Sequence, residues 1–108
     1  MKLVTQEMRD TIPGQYEQDG LGDKAIVYAK FFCPWNNLTW YVTEMWEEGG
    51  TMMFFGLVDG LEVELGPFSL AEFLSVSGPG GLTIERDLHW APLQLGVVRE
   101  LIKAQRGE

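Results

Sequence analysis

A pair of strand-like segments joined by one strong turn signal most constrains the fold of this chain. Residues 51–58 are rich in aromatic and branched side chains, and residues 61–65 alternate strictly between apolar and acidic side chains. Between them stands Asp59-Gly60, which tolerates the positive φ angles of a two-residue type I′ turn. The pattern predicts an antiparallel hairpin. Its predicted inward side chains are Leu61, Val63 and Leu65, and its predicted outward side chains are Glu62 and Glu64.

Two more strands are predicted before this hairpin. Residues 25–33 are apolar on both alternating faces, which is typical of a strand covered on both sides. Pro34 ends that segment, and a turn leads into a second predicted strand over residues 38–46. Gly49-Gly50 then turns the chain into the hairpin. The predicted sheet is a four-stranded antiparallel meander. In its second strand one face carries Leu38, Trp40, Val42 and Glu44.

Three helices complete the predicted α+β fold of a single domain over residues 1–108. Thr5 caps a short helix over residues 6–11. Residues 69–72, Ser-Leu-Ala-Glu, form a capping box for a second helix over residues 70–75, and Pro67 is predicted to end the sheet before it. Pro92 suits the first turn of a last helix. We expect both later helices to pack on the sheet. The last one presents Leu93, Val97 and Leu101 in line, with Val98 and Ile102 beside them.

Length and cysteine content limit the class of protein. A chain of 108 residues is too short to divide into two units with adequate cores. Cys33 is the only cysteine, so no internal disulfide or zinc set is available, and its neighbours predict a small buried hydrophobe rather than a nucleophile. No apolar run reaches the roughly 20 residues of a membrane helix. We expect a cytoplasmic protein without a cofactor or a membrane partner.

The charge pattern excludes one class of partner and suggests another. The net charge is −8, and no Lys or Arg occurs between Lys30 and Arg86. Such a field repels phosphate, so direct binding of duplex nucleic acid is not expected. It attracts a basic protein surface. The alternative is that the acids serve only solubility. The acids of this interval are Glu44, Glu47, Glu48, Asp59, Glu62, Glu64, Glu72 and Glu85.

Three segments carry a family resemblance that covers nearly the whole chain. They are KFFCPWNNLTWYVTE (residues 30–44), FFGLVDGLEVELGPFSLAEF (54–73) and GLTIERDLHW (81–90), and they follow the opening MKLVTQEMRDTIP. In this order and spacing the chain resembles the domain of unknown function 2958 family. The resemblance implies small proteins of bacterial plasmids, phages and conjugative elements. It implies no reaction.

Aromatic residues beside acids predict a protein-binding surface. Trp35 lies in a Pro-Asn-Asn turn, and Trp46 precedes two glutamates at a hairpin end. Aromatic anchors ringed by charge are typical of protein interfaces, although both rings can instead fold back on the sheet. The predicted binding residues are Trp35, Trp46, Glu47, Glu48, Glu62 and Glu64.

A second, polar site is also possible near the end of the chain. Glu85, Asp87 and His89 alternate at a spacing of two, so an extended segment would point all three to one side. Glu44 can join them from the second strand, and two carboxylates with an imidazole can hold a divalent cation. Arg86 interrupts the set, and Glu-Arg-Asp sets more often form ion pairs and turn caps than metal sites.

Three functions are compatible with these features. The leading hypothesis is a non-enzymatic accessory protein of a mobile element that binds a basic protein. Its sharpest form is a counter-defence inhibitor, of anti-CRISPR or anti-restriction type, that occupies the nucleic-acid groove of a host nuclease or CRISPR effector. The alternatives are a small metal-dependent or hydrolytic enzyme using Glu44, Glu85, Asp87 and His89, and a structural subunit of a plasmid-maintenance or conjugation complex.

Overall fold

A five-stranded antiparallel sheet organises the computed structural model, which describes residues 1–108. In chain order the strands are β1 (Ile26–Val27), β2 (Ala29–Phe32), β3 (Thr39–Glu48), β4 (Thr51–Asp59), β5 (Val63–Ser69), β6 (Glu85–Arg86) and β7 (Leu93–Gln94). The main sheet has the order β5-β4-β3-β2-β6, and β1 pairs with β7 in a small second sheet. The predicted α+β class is confirmed. The predicted four-stranded meander is corrected, because β6 returns to pair with β2 and adds a fifth strand.

Helices cover both faces of the sheet. They are α1 (Gln6–Thr11), α2 (Leu70–Leu74) and α3 (Leu95–Arg106), with short 3-10 turns at Gly22–Lys24 and Pro79–Gly81. One face packs under α1 and α2 around four phenylalanines whose ring centroids lie 4.9–5.7 Å apart. The other face packs under α3 through Leu95, Val98 and Ile102. The phenylalanines are Phe31, Phe54, Phe68 and Phe73.

The predicted central strand over residues 25–33 is interrupted. Tyr28 separates β1 from β2, and its amide donates to the carbonyl of Val42 at 2.8 Å. The two pieces serve different sheets, since β1 pairs with β7 whereas β2 pairs with β3. An apolar run alone does not reveal such a change of partner.

The hairpin of β4 and β5 is antiparallel as predicted, and Glu62 and Glu64 are exposed. Its turn differs from the prediction, because Asp59 pairs with Val63 and leaves a three-residue loop, residues 60–62. Leu61 therefore lies in the loop and is fully exposed rather than inward, and Leu65 is 46% exposed. β5 also continues through Pro67 to Ser69. Proline is tolerated there because β5 is an edge strand.

A β-bulge in β3 changes the direction of its later side chains. Val42 pairs with Gly56 and Glu44 pairs with Phe55, so Thr43 is an extra residue between two paired positions. One inserted residue moves every following side chain to the opposite face. Met45 thus joins Val42 in the larger core, and Glu44 leaves the face on which it was predicted.

The last helix begins later than predicted and turns a different face inward. Residues 93 and 94 form β7, and α3 starts at Leu95, whose amide donates to the carbonyl of Ala25 at 2.7 Å. The buried residues are Leu95, Val98 and Ile102. Val97 and Leu101, which were predicted to line the buried stripe, are 45% and 50% exposed.

The predicted N-caps of α1 and α2 are both present. Thr5 Oγ1 accepts from the amide of Met8 at 3.2 Å, and Ser69 Oγ accepts from the amide of Glu72 at 3.1 Å. The Ser69 hydroxyl also donates to the Glu72 carboxylate at 3.2 Å, so the two side chains of the predicted box contact each other. Phe68 and Phe73 contact each other across this cap, with ring centroids 5.7 Å apart.

Loss of the α2 cap should have a measurable cost. Ser69→Ala is expected to lower the free energy of unfolding by about 1 kcal/mol, because an amide in the first turn of a short helix loses its acceptor. Urea unfolding followed by circular dichroism measures this change. Ser77→Ala is the matched control at an exposed serine and should change stability by less than about 0.5 kcal/mol. Equal effects would mean that the cap does not stabilise α2.

Candidate functional site

A cleft of about 1260 Å³ opens on the face of the sheet that α3 covers only in part. Its base is formed by residues paired across neighbouring strands: Glu85 with Phe32, Phe32 with Thr39, and Thr39 with Asp59. Directly paired residues project to the same face, so this row crosses four strands. The row above it contains Lys30 and Tyr41. The sheet thereby gathers polar groups from three distant parts of the sequence.

Lys30 is a cation without a carboxylate partner in this cleft. It takes part in none of the three ion pairs of the structure. Its ammonium group instead lies 5.7 Å from the ring centroid of Tyr41 and 6.0 Å from that of Trp90. The negative faces of these rings attract the cation. The charge of Lys30 is therefore held at the cleft by two aromatic rings rather than by a carboxylate.

Tyr41 presents a phenol that stays protonated at neutral pH. Burial raises the pKa of Tyr41, and the nearby carboxylates of Asp59 and Asp87 raise it further. Both effects disfavour a phenolate. Tyr41 also packs against Trp90, with ring centroids 5.7 Å apart, and the Trp90 indole donates to the carbonyl of Val27. The Tyr41 ring is thus fixed beside Lys30.

One arginine fastens the rim of the cleft to the end of α3. Arg106 Nη2 lies 2.6 Å from Asp59 Oδ1 and also donates to the carbonyl of Gly60. Its hydrogen bond to Asp59 is the largest cause of a raised pKa for Arg106. The side chains of Arg106 and Asp59 are 31% and 14% exposed, so solvent reaches the pair only in part. The contact holds the β4–β5 loop against the helix.

Four of the five predicted polar-site residues line this cleft: Glu85, Arg86, Asp87 and His89. They do not form the expected extended row, because only Glu85–Arg86 is a strand. Asp87 Oδ1 caps the turn that follows by accepting from the amide of His89 at 2.9 Å, and the Arg86 guanidinium donates to the carbonyl of Lys2. No group of three His, Cys, Asp or Glu side chains is arranged to hold a metal ion.

Glu44 does not belong to this cleft, which corrects the expectation that it joins Glu85, Asp87 and His89. The bulge at Thr43 places Glu44 elsewhere, where its carboxylate accepts from the amides of Tyr16 and Gln18, each at 2.9 Å. The carboxylate is buried and fixes the loop over residues 15–22. No pattern in the sequence predicts a bulge at this position.

The predicted acidic residues form two separate groups. Glu47 and Glu48 are exposed at one end of the β3–β4 hairpin, where Glu48 pairs with Thr51. Glu62 and Glu64 lie near the other end, Glu62 in the loop after Asp59 and Glu64 in β5 opposite Val58. At about 3.3 Å per residue, these ends are roughly 26 Å apart. The structure therefore offers two acidic surfaces instead of one.

Neither predicted tryptophan anchor projects freely into solvent. Trp35 is half-buried against the larger core, and a Cβ atom added at Gly78 would lie 2.3 Å from its ring. Trp46 is also half-buried, and its indole nitrogen is buried without a hydrogen-bond partner. Trp35 therefore packs against the core, the alternative that the sequence left open, and Trp46 is only partly exposed.

Two exposed leucines at the cleft were not predicted as binding residues. Leu61 is fully exposed and Leu88 is 60% exposed, and both line the cleft. They lie at opposite edges of the sheet, since Leu61 precedes edge strand β5 and Leu88 follows edge strand β6. Leu61 was missed because the predicted two-residue turn placed it in the strand, whereas the actual loop after Asp59 has three residues.

Cys33 is buried, as its sequence context predicted. The residue is 3% exposed, and burial raises the pKa of its thiol. Less thiolate is therefore present at neutral pH than in an exposed cysteine, which disfavours nucleophilic chemistry.

Comparison with known proteins places the chain in a family without supplying an activity. No curated protein and no solved structure matches it. No helix in the structure is long and apolar enough to cross a membrane. Residues 3–103 match the sequence profile of the family described as "Protein of unknown function (DUF2958)". The match spans nearly the whole chain, and the protein therefore belongs to the domain of unknown function 2958 family.

Proposed function

We propose that this protein is a non-enzymatic binding protein that docks on a basic surface of another protein through its cleft and the adjoining β4–β5 loop. The observation that carries the proposal is the fully exposed Leu61, which stands at the cleft directly before two exposed acids, Glu62 and Glu64. An apolar side chain that folding leaves completely in water gains most from a partner.

The apolar contacts of this surface come from both sides of the cleft. Leu61 and Leu88 provide exposed side chains at opposite sides, and Phe32 and Tyr41 line the space between them. Apolar groups at the centre of a patch with charged groups around it match the anatomy of protein interfaces. A partner segment that enters the cleft would cover both leucines.

The acidic groups define the charge of the partner. The pKa of Glu64 is raised, first by its hydrogen bond with Glu62 and then by the negative charge of that neighbour. Two carboxylates held this close repel each other, and a lysine or arginine from a partner relieves that repulsion. Glu85 and Asp87 add negative charge at the opposite side of the cleft. Within the lining these acids and Asp59 are balanced by Lys30, Arg86 and Arg106. The preference for a basic partner therefore rests on Glu62 and Glu64 of the adjoining segment.

The sharper form of the proposal concerns the biological setting. The family resemblance implies plasmids, phages and conjugative elements, in which proteins that counter host defence are useful. A nuclease or a CRISPR effector presents a basic groove for nucleic acid, and an acidic protein can occupy it. We propose this partner class for the surface formed by the cleft and the β4–β5 loop, with the role of a cytoplasmic inhibitor.

Matched charge variants test the proposal. We expect Glu62→Gln/Glu64→Gln to slow association with a captured, purified partner at least tenfold at low salt, because complementary charge acts mainly on the encounter rate. Leu61→Ser should accelerate dissociation, since it removes an apolar contact of the formed complex. Surface plasmon resonance at low and high salt measures both rates. The control is Glu47→Gln/Glu48→Gln, which removes equal charge at the distant end of the hairpin.

The control also decides between the two acidic surfaces. Slower association in the Glu47/Glu48 variant, with the Glu62/Glu64 variant unchanged, would move the binding site to the other end of the sheet. Unchanged rates in all folded variants would show that these acids serve solubility, and the proposal would be rejected. A partner whose natural nucleic acid still binds in the complex would overturn the inhibitor role alone.

A further inference from the structure

A second cavity of about 610 Å³ lies at a different part of the sheet, under the loop over residues 15–22. One row of paired residues crosses its base: Glu44 with Phe55, and Phe55 with Pro67. Trp46 follows Glu44 by two positions and so shares its face. The cavity combines a carboxylate with aromatic walls.

Glu44 is a buried acid without a cationic partner. Only 5% of the residue is exposed, and its two carboxylate oxygens accept from the neutral amides of Tyr16 and Gln18. None of the three ion pairs includes it. A buried charge is costly unless a counter-ion or a sufficient set of donors compensates it. Neutral donors stabilise this carboxylate and leave its negative charge in place.

The rest of the cavity offers no positive charge either. Its 14 lining residues include a second acid, Asp19, and contain no lysine, arginine or histidine. The indole nitrogen of Trp46 is buried without an acceptor, although buried donors in proteins are almost always paired. Glu44 therefore lacks a counter-cation, and the Trp46 N–H can donate only to an acceptor elsewhere on a ligand, such as an amide carbonyl.

The loop above the cavity is held in a strained but fixed conformation. Tyr16 is the only non-glycine residue with a positive φ, at 68°, and its amide is one of the two donors to Glu44. The Gln18 side chain ties the loop to the carbonyls of Ile26 and Thr43, at 2.8 and 2.7 Å. Strain that surrounding contacts maintain is common at binding sites. The cavity is therefore preformed.

We infer that this cavity binds a small organic cation, namely a primary ammonium or a guanidinium group on a short apolar chain. Glu44 supplies the counter-ion, and Trp46 and Phe55 supply aromatic faces, a combination that favours cations over neutral groups. A volume of about 610 Å³ suits a small molecule. The inference is independent of the proposed protein-binding surface, because the two use different residues.

Two probes, one cationic and one neutral, test the charge requirement. N-acetyl-arginine amide carries the cation, and N-acetyl-norleucine amide carries an apolar chain without it. In ¹⁵N-labelled protein we expect saturable shifts of the Trp46 indole resonance and of the Tyr16 and Gln18 amides with the arginine probe. The norleucine probe should bind at least tenfold more weakly. Equal binding of both would overturn the cation class. No shift at about 10 mM arginine probe, a concentration that detects a millimolar Kd, would overturn the site.

Variants assign the counter-ion. Glu44→Gln keeps one acceptor oxygen and removes the charge, so binding of the arginine probe should weaken at least tenfold. Asp19→Asn should weaken it less, because Asp19 is exposed. Glu47→Gln, an exposed acid of the same strand, should leave binding unchanged. A Glu47→Gln effect as large as that of Glu44→Gln would mean that overall charge, not this cavity, attracts the probe. If Glu44→Gln does not fold, the comparison of the two probes on the natural protein still tests whether the cavity requires a cation.

Discussion

Gly56→Ala is expected to prevent the protein from folding to its native structure. A Cβ atom at this position would lie 1.8 Å from the backbone carbonyl oxygen of Tyr41 and 2.8 Å from its carbonyl carbon. These atoms belong to the central strand β3, which cannot move without breaking its pairing with β2 and β4. The expected loss is at least about 4 kcal/mol, a large part of the roughly 5–15 kcal/mol that stabilises a domain.

Gly66→Ala is the matched control, because Gly66 pairs directly with Gly56 on the neighbouring strand. An added Cβ there meets no atom within 4 Å, so stability should change by less than about 1 kcal/mol. Circular dichroism and urea unfolding of both variants give the comparison. A folded Gly56→Ala protein within 1 kcal/mol of the natural one would contradict the close approach of β3 and β4 at this point.

Local signals in the sequence predicted the elements that depend only on neighbouring residues. Ser69 and Glu72 act within one helical turn, and Thr5 caps α1 through an amide three residues away. The β4–β5 pairing also follows from nearby residues, since a short loop brings the strands together. Each of these contacts spans a few positions of the chain, so residue types at fixed spacing are sufficient to predict it.

Contacts between distant segments account for the main differences from prediction. Glu85–Arg86 joins the sheet beside β2, more than 50 positions earlier in the chain, and no local pattern specifies that pairing. The bulge at Thr43 depends on how β3 fits against β4, yet it decides which face Glu44 occupies. These two features separate Glu44 from the cleft that contains Glu85. The sequence therefore predicted that Glu85, Asp87 and His89 lie at one site, but it did not predict that Glu44 lies elsewhere.

The face of the last helix shows how one distant pairing changes a periodic pattern. Leu93, Val97 and Leu101 have the spacing of a buried stripe, and the sequence gives no reason to exclude Leu93 from the helix. Pairing of Leu93 with Val27 holds residue 93 in a strand, so the helix starts at Leu95. Its buried stripe then begins from that residue. Val97 and Leu101 are left partly in water.

Removal of the Glu44 carboxylate is expected to destabilise the protein and release the loop over residues 15–22. In Glu44→Ala, the amides of Tyr16 and Gln18 lose their acceptors, and an unpaired buried amide costs about 1–3 kcal/mol. Tyr16 also loses a contact that maintains its positive φ of 68°. We expect the free energy of unfolding to fall by about 2–4 kcal/mol, within the range for the loss of a buried hydrogen-bond network.

Hydrogen exchange distinguishes this local role from a general loss of stability. The amides of Tyr16 and Gln18 should exchange at least tenfold faster in Glu44→Ala, beyond the acceleration of core amides such as that of Phe54. Glu47→Ala provides the control, since it removes an exposed glutamate of the same strand and should cost less than about 0.5 kcal/mol. Equal costs for the two variants would show that the Glu44 carboxylate does not hold the loop. In that case other contacts, rather than the two hydrogen bonds of Glu44, would hold the loop in place over the cavity.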